Sequence, residues 1–222
     1  MSKLRLLQIF IILTLGLAMS GPIAKVSAAD PPAPEAKPPA PVVDVTGFRS
    51  AHFGMTEAEV RTAINTDFGI KPTAIRVEDQ PVDKTRVLLI KVPDVIPQGG
   101  TAEISYVLGF KSHKLIQIML TWSKAIDESL KPETLIGDAQ LLTTYFQERG
   151  YKPDSIVMNT PVAGGIIMFR GRDAHDRTTL LLLRGTTAEV KDQHVFTPSS
   201  LSSLYIEDAQ HPDVYRLTPG QF

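Results

Sequence analysis

Asp173-Ala174-His175-Asp176 is the densest run of metal-ligating side chain types in this 222-residue chain. Two carboxylates and an imidazole offer oxygen and nitrogen donors of the kind that divalent cations take. A charged hairpin tip would use the same residues, and that plainer arrangement is the expectation. His52, His113, His194 and His211 are scattered, and no histidine pair stands at i,i+2 or i,i+4. The chain holds no H-E-x-x-H, no G-x-S-x-G elbow, no Walker loop and no Rossmann glycine pattern. Ser199-Ser200 and Ser202-Ser203 follow Pro198, where hydroxyls suit caps and turns better than nucleophilic attack. Asp67, beside Phe68-Gly69, suits the end of a helix. With no cysteine, disulfides, thiol catalysis and thiolate metal sites are excluded. No catalytic, metal or cofactor-binding residue is assigned and no cofactor is expected. A hydrolase remains a third reading, in which its residues would converge from distant positions.

Recognition has better candidates. Gly164-Gly165, after Pro161-Val162-Ala163, lets the backbone bend or come close to another group, as an ordinary hairpin loop also would. Trp122 closes one predicted strand and Tyr106 sits on its neighbour. Together with Phe146 they either line a groove for an apolar ligand or form an aromatic core under a helix. Phe53, at the entrance to the first helix, completes the set of candidate partner contacts.

These residues must be carried by regular elements. Thr56 and Glu59 fit a capping box, Met55 and Val60 a hydrophobic staple, and Gly69 a helix end. Val60, Ala63 and Ile64 form the apolar stripe between them. Strands are expected at Ala74–Glu78, Thr85–Val92, Ala102–Phe110 and Leu115–Trp122, the last two joined by Lys111–Lys114. Ile104, Tyr106 and Leu108 alternate, whereas Leu115 to Leu120 is more continuously apolar. One face of that hairpin should therefore lie under a helix and part of the other under something else. Pro132–Arg149 reads as a second helix, with Pro132 at its first position and Gly150 after its end. Ser155–Asn159, Ile166–Arg170, Thr178–Arg184 and Ser203–Ile206 follow as strands. The fold class is α+β, with antiparallel sheet covered by helices. The order of elements fits two tandem helix-plus-sheet units, 45–124 and 125–207, which share order rather than residues. The tail 208–222 should lie along the surface or fray.

Ahead of these elements, Lys3 and Arg5, an apolar run Leu6–Met19 and a small-residue exit at Val26–Ala29 describe a secretory signal peptide over 1–29. Asp30–Asp44 is a proline-rich spacer. Removing 1–29 takes Lys3, Arg5 and Lys25 from 23 basic residues and nothing from 24 acidic ones, which leaves a formal charge of −4. Nothing forms a basic stripe, so nucleic acid is not an expected partner. No later run is long enough to span a bilayer, so no stable membrane anchor is expected after cleavage, and the periplasm is the expected location.

Phe53-Gly54-Met55-Thr56-Glu57-Ala58-Glu59-Val60, with Ile64 and Phe68-Gly69, resembles the G-M-T-x-x-x-V helix opening of SmpA/OmlA (BamE-type) envelope proteins. Those proteins belong with beta-lactamase-inhibitor-like folds, whose tandem version repeats a helix-plus-sheet unit. The resemblance is confined to Phe53–Gly69, and the chain lacks the family's lipoprotein cysteine. It implies a non-enzymatic envelope interaction module. The first expectation is therefore a soluble periplasmic binding or scaffolding module with an envelope protein partner; the second, from the aromatic residues, is a small carrier that holds an apolar ligand between helix and sheet, lined by Trp122, Tyr106 and Phe146.

Overall fold

Helix α1, Glu57–Phe68, begins on the capping box. The Thr56 hydroxyl accepts from the Glu59 N–H at 3.4 Å, and the Glu59 carboxylate accepts from the Thr56 N–H at 2.7 Å. It ends on Gly69, whose φ of 67° is the left-handed conformation that a residue without Cβ adopts freely. Helix α2, Pro132–Gln147, uses Pro132 where the missing N–H costs nothing. The computed structural model describes residues 42–190, 193–217 and 220, so the leader and nearly all of the proline-rich spacer lie outside the described residues. Of that spacer's last residues, Val43 donates to the Gly150 carbonyl at 3.3 Å, and Asp44 accepts from the Arg177 guanidinium at 2.7 Å.

A small hairpin, β1 (Gly47–Phe48) and β2 (Ala51–His52), precedes α1. One antiparallel sheet then takes the remaining strands: β3 (Arg76–Asp79), β4 (Arg86–Val92), β5 (Ala102–Leu108), β6 (Leu115–Ser123), β7 (Val157–Val162), β8 (Gly165–Arg172), β9 (Thr178–Val190) and β10 (Gln193–Ile206). The fold is α+β. The strand order is β3-β4-β5-β6-β10-β9-β8-β7, so each helix is followed by a four-stranded meander and the two last strands meet at the centre. Trp122 faces Leu201 and Leu120 faces Ser203 across that central pairing.

The two meanders open alike. Gly69-Ile70-Lys71-Pro72-Thr73-Ala74-Ile75 and Gly150-Tyr151-Lys152-Pro153-Asp154-Ser155-Ile156 share Gly, Lys, Pro and Ile in register. Each makes a single 3-10 turn, Pro72–Ala74 and Pro153–Ser155, in which the Ile N–H donates back to the Pro carbonyl at 3.4 Å. Proline sets φ for the turn, and the lysine before each is kept out of the helical region, at ψ of 147° for Lys71 and 120° for Lys152, as the proline ring favours. These two turns thus share residues as well as position.

The greatest departure from expectation is the length of β9 and β10. Both run well past Arg184 and Ser203 as a two-stranded arm, pairing Gly185 with Pro198 and Glu189 with His194. The threonine and serine content there reads as loop, yet Thr186, Thr187, Val195 and Thr197 are β-branched, and each strand satisfies the other's backbone. Pro198 is accommodated because the register shifts between Pro198 and Ser200.

One core holds the described residues together. Val60, Ala63 and Ile64 of α1 and Leu135, Ala139 and Phe146 of α2 join a single cluster with Leu88, Ile90, Ile104, Tyr106, Ile118, Trp122, Leu181 and Leu201. Helix α2 lies against β8, β9 and β10. No helix among the described residues is long and apolar enough to cross a membrane.

Candidate functional site

Alternate residues on the same strands point away from that core. Leu89, Ser105, Met119, Leu204, Leu180 and Arg170 are successive cross-strand partners from β4 to β8. Beside them run Val87, Val107, Gln117, Ile206, Thr178 and Arg172. A third row carries Lys91, Glu103, Thr121, Ser202, Leu182 and Ile167. None of the apolar members belongs to the core cluster or packs against it. Val107, Met119, Leu180, Leu182, Leu204, Ile206 and Ile167 are each half-buried. Nine of these eighteen positions are apolar and nine polar or charged, so the face is a mixed one across six strands, with half-buried apolar side chains that a partner could cover.

Over β3–β6 the face sinks into a cleft of about 780 Å³. One wall is the tail after β10. Asp213 accepts from the N–H groups of Lys111 and Ser112 at 3.0 and 2.8 Å, and its carbonyl takes the Phe110 N–H at 2.9 Å. Tyr215 N–H reaches the Asp83 carbonyl at 2.8 Å, and its ring lies under the Lys84 ammonium, 3.7 Å from the centroid. The tail is therefore tied to both the β3–β4 and the β5–β6 turns.

The floor of the cleft carries Val87, Leu89, Val107, Ile116, Met119 and Ile206, interrupted by Thr85, Ser105 and Gln117. Its rim is acidic: Glu78, Asp83, Glu103, Glu207, Asp208 and Asp213, with His211 and without lysine or arginine. Arg76 reaches Glu78 at 3.4 Å and Glu103 at 3.2 Å from the sheet edge. Burial pushes the Glu207 carboxyl up; Arg177 opposes this, and the like charges of Asp208 and Asp213 add to it. At the far end of the face, Arg170, Arg172 and Arg184 stand on β8 and β9. Arg172 is paired with Asp176, and Lys91 and Arg76 stand at the acidic end.

The residues singled out from sequence lie elsewhere. Tyr106, Trp122 and Phe146 are all fully enclosed on the helix side of the sheet. Phe146 packs on Phe169 at 5.5 Å between ring centroids. Burial raises the Tyr106 hydroxyl well above its ordinary pKa, with the Asp67 charge adding to this and Arg49 opposing it; that hydroxyl has no hydrogen-bond partner. Trp122 lines a crevice beside α2. Phe53 is half-buried against the core, and its N–H donates to the Thr46 carbonyl at 2.8 Å. Gly164 and Gly165 form the tight end of the β7–β8 hairpin, with φ of 73° at Gly164. A Cβ on Gly165 would stand 2.5 Å from the Leu183 carbonyl oxygen. The close approach there is to the chain's own β9.

Asp44, Asp173 and His175 present ligand atoms within 4.8 Å of one another. The Asp173 carboxylate is already engaged, accepting the N–H groups of Val45, His175 and Arg177 at 2.9, 2.8 and 2.9 Å. Arg177 occupies Asp44. Asp176 turns instead to Lys152 at 2.9 Å and Arg172 at 3.2 Å. A cation would have to displace an arginine, so the chemistry of this set is that of a structural clamp.

Sequence reasoning missed Met119, Leu204, Leu180 and the tail wall. Continuous apolar runs, Leu115–Leu120 and Leu180–Leu183, were the available signal that both faces of these strands are used. Comparison with protein-family models, curated proteins and solved structures finds no match.

Proposed function

We propose that the chain is a non-enzymatic protein-interaction module of the cell envelope, exported by its leader. Its two tandem helix-plus-four-strand units set their helices over one face of the sheet and offer the other to a partner. The shared Gly-x-Lys-Pro-x-x-Ile turns and the symmetric strand order support the tandem reading. The interaction reading is carried by the half-buried apolar side chains of this face and its acid-rimmed cleft. The apolar side chains of the floor supply contact energy, and carboxylates around them select a segment whose apolar residues are flanked by lysine or arginine.

Cross-linking pull-down of the full exported chain from its native envelope tests this, with Met119→Glu and Leu204→Glu as surface variants. The wild type should capture a reproducible partner, weakly so at high salt because the rim charges are screened. Both variants should fold, as far-UV circular dichroism would show, and lose the partner. Retention by both variants, or loss only on Phe53→Ala, would place the contact on the other side of the sheet and overturn the assignment of this face.

A further inference from the structure

The side chains that the acid-rimmed cleft would select are present on this chain itself. Over β8 and β9 the outward positions hold Arg170, Arg172 and Arg184 and no carboxylate. Arg172 turns to Asp176, whereas Arg170 and Arg184 are exposed and, among the described residues, form no ion pair. Ile167, Leu180 and Leu182 lie between these two arginines, each half-buried. At the other end of the face, six carboxylates rim the cleft against Arg76 and Lys91, and Arg76 is already shared between Glu78 and Glu103. The excess charge is therefore negative over β3–β5 and positive over β8–β9.

Two copies packed face to face with aligned strands can be related by either of two two-fold axes. An axis across the strands lays β4 on β4 and sets carboxylates against carboxylates. An axis along the strands, over the central β6–β10 pairing, sets β4 on β8, β5 on β9 and β6 on β10 of the other copy. Rotation about that axis does not shift the cross-strand rows, so Met119 meets Leu204 of the second copy and Ser105 meets its Leu180. Arg170 of the second copy falls over Leu89 and its Arg184 over Thr101, which brings both arginines next to Glu103. Charge thus chooses one axis over the other.

We propose that the partner of the uncovered face is a second copy of this chain, joined as an isologous dimer about the axis along the strands. The inference rests on the interaction reading above and names its occupant. Six strands about 4.8 Å apart, each covered over about 20 Å, give about 600 Å² per copy and about 1,200 Å² in all, at the lower bound of specific interfaces. The tail is tied to the β3–β4 and β5–β6 turns, at one end of the strands, and leaves Met119 and Leu204 half-exposed at the centre. Each copy buries apolar side chains in the middle and two charge contacts at the ends, one the image of the other.

Sedimentation velocity of the purified full exported chain over a wide concentration range tests this, with far-UV circular dichroism to show that each variant folds. The mass should rise from monomer to dimer with concentration, and less so at high salt. Met119→Glu should hold the chain as a monomer. Arg170→Glu with Arg184→Glu should weaken the dimer about tenfold, and so should Glu78→Lys with Glu103→Lys. Mixing these two double variants should restore dimers, because every reversed end then meets its opposite. A monomer at all concentrations would overturn the proposal. If Met119→Glu still abolished capture of an envelope protein in that case, the face would stand as a contact site with another occupant. Dimers indifferent to Met119→Glu, or double variants that do not recombine, would overturn the proposal as well.

Discussion

The Asp173 carboxylate, fully buried in the β8–β9 turn, accepts a hydrogen bond at 2.9 Å from the backbone N–H of Val45, 128 residues earlier in the chain. The same carboxylate gathers the N–H groups of His175 and Arg177, so one side chain closes a hairpin and fastens the segment that enters β1 to it. Asp173→Ala leaves three backbone donors unpaired and should cost about 3 kcal/mol, read as a lower urea midpoint at unchanged m-value. A loss below about 1 kcal/mol would mean that water replaces the carboxylate.

Because Arg177 sits on Asp44 and donates to the neighbouring segment, divalent cations should find no vacancy beside Asp173. Calcium, magnesium or zinc at millimolar concentration should leave Tm within a degree of its value in chelator. A saturable rise with any one of them, abolished by His175→Ala, would make the Asp44–Asp173–His175 set a metal site.

Gly164 and Gly165 are adjacent but constrained for different reasons. Gly164 needs only its positive φ, and a Cβ there meets nothing within 4 Å, so Gly164→Ala should cost about 1–2 kcal/mol of backbone strain. Gly165 is packed against the Leu183 carbonyl, and a Cβ must push β8 away from β9. Gly165→Ala should therefore be the more damaging change, by about 2–3 kcal/mol, and Gly164→Asn the mildest of the three. The reverse order in thermal melts would refute the hairpin geometry.

Asp138, on the buried side of α2, has an Oδ2 atom with no partner, and burial holds its carboxyl above the usual carboxylate range. A raised native pKa means that the folded chain holds the proton more tightly than the unfolded one. Stability from this group is thus complete below the ordinary value of about 4 and is lost as pH rises through the native pKa. Asp138→Asn removes that dependence. Subtracting wild-type from variant unfolding free energies should give a difference that grows in the variant's favour from about pH 4 and then levels. A flat difference, or one favouring the wild type at neutral pH, would show that the carboxylate has a partner.

Local signals in the chain determined its local structure. Thr56, Glu59 and Gly69 delimit α1, and Pro132 opens α2, because caps and prolines act on backbone groups within one turn. The alternation of Ile104, Tyr106 and Leu108 placed β5, which stops at Leu108 rather than Phe110, and the unequal pattern of β6 matches a second face partly walled by the tail after β10. Tertiary structure decided the rest. Whether Ser200–Ser203 turn or pair depends on β6 and β9 standing on either side, a condition no window of sequence contains. Asp173 became a clamp rather than a ligand only when Val45 arrived from the far end of the chain. Met119 and Leu204 stand side by side because the two meanders meet at their last strands, and side-chain spacing along one strand carries no record of which strand will lie beside it.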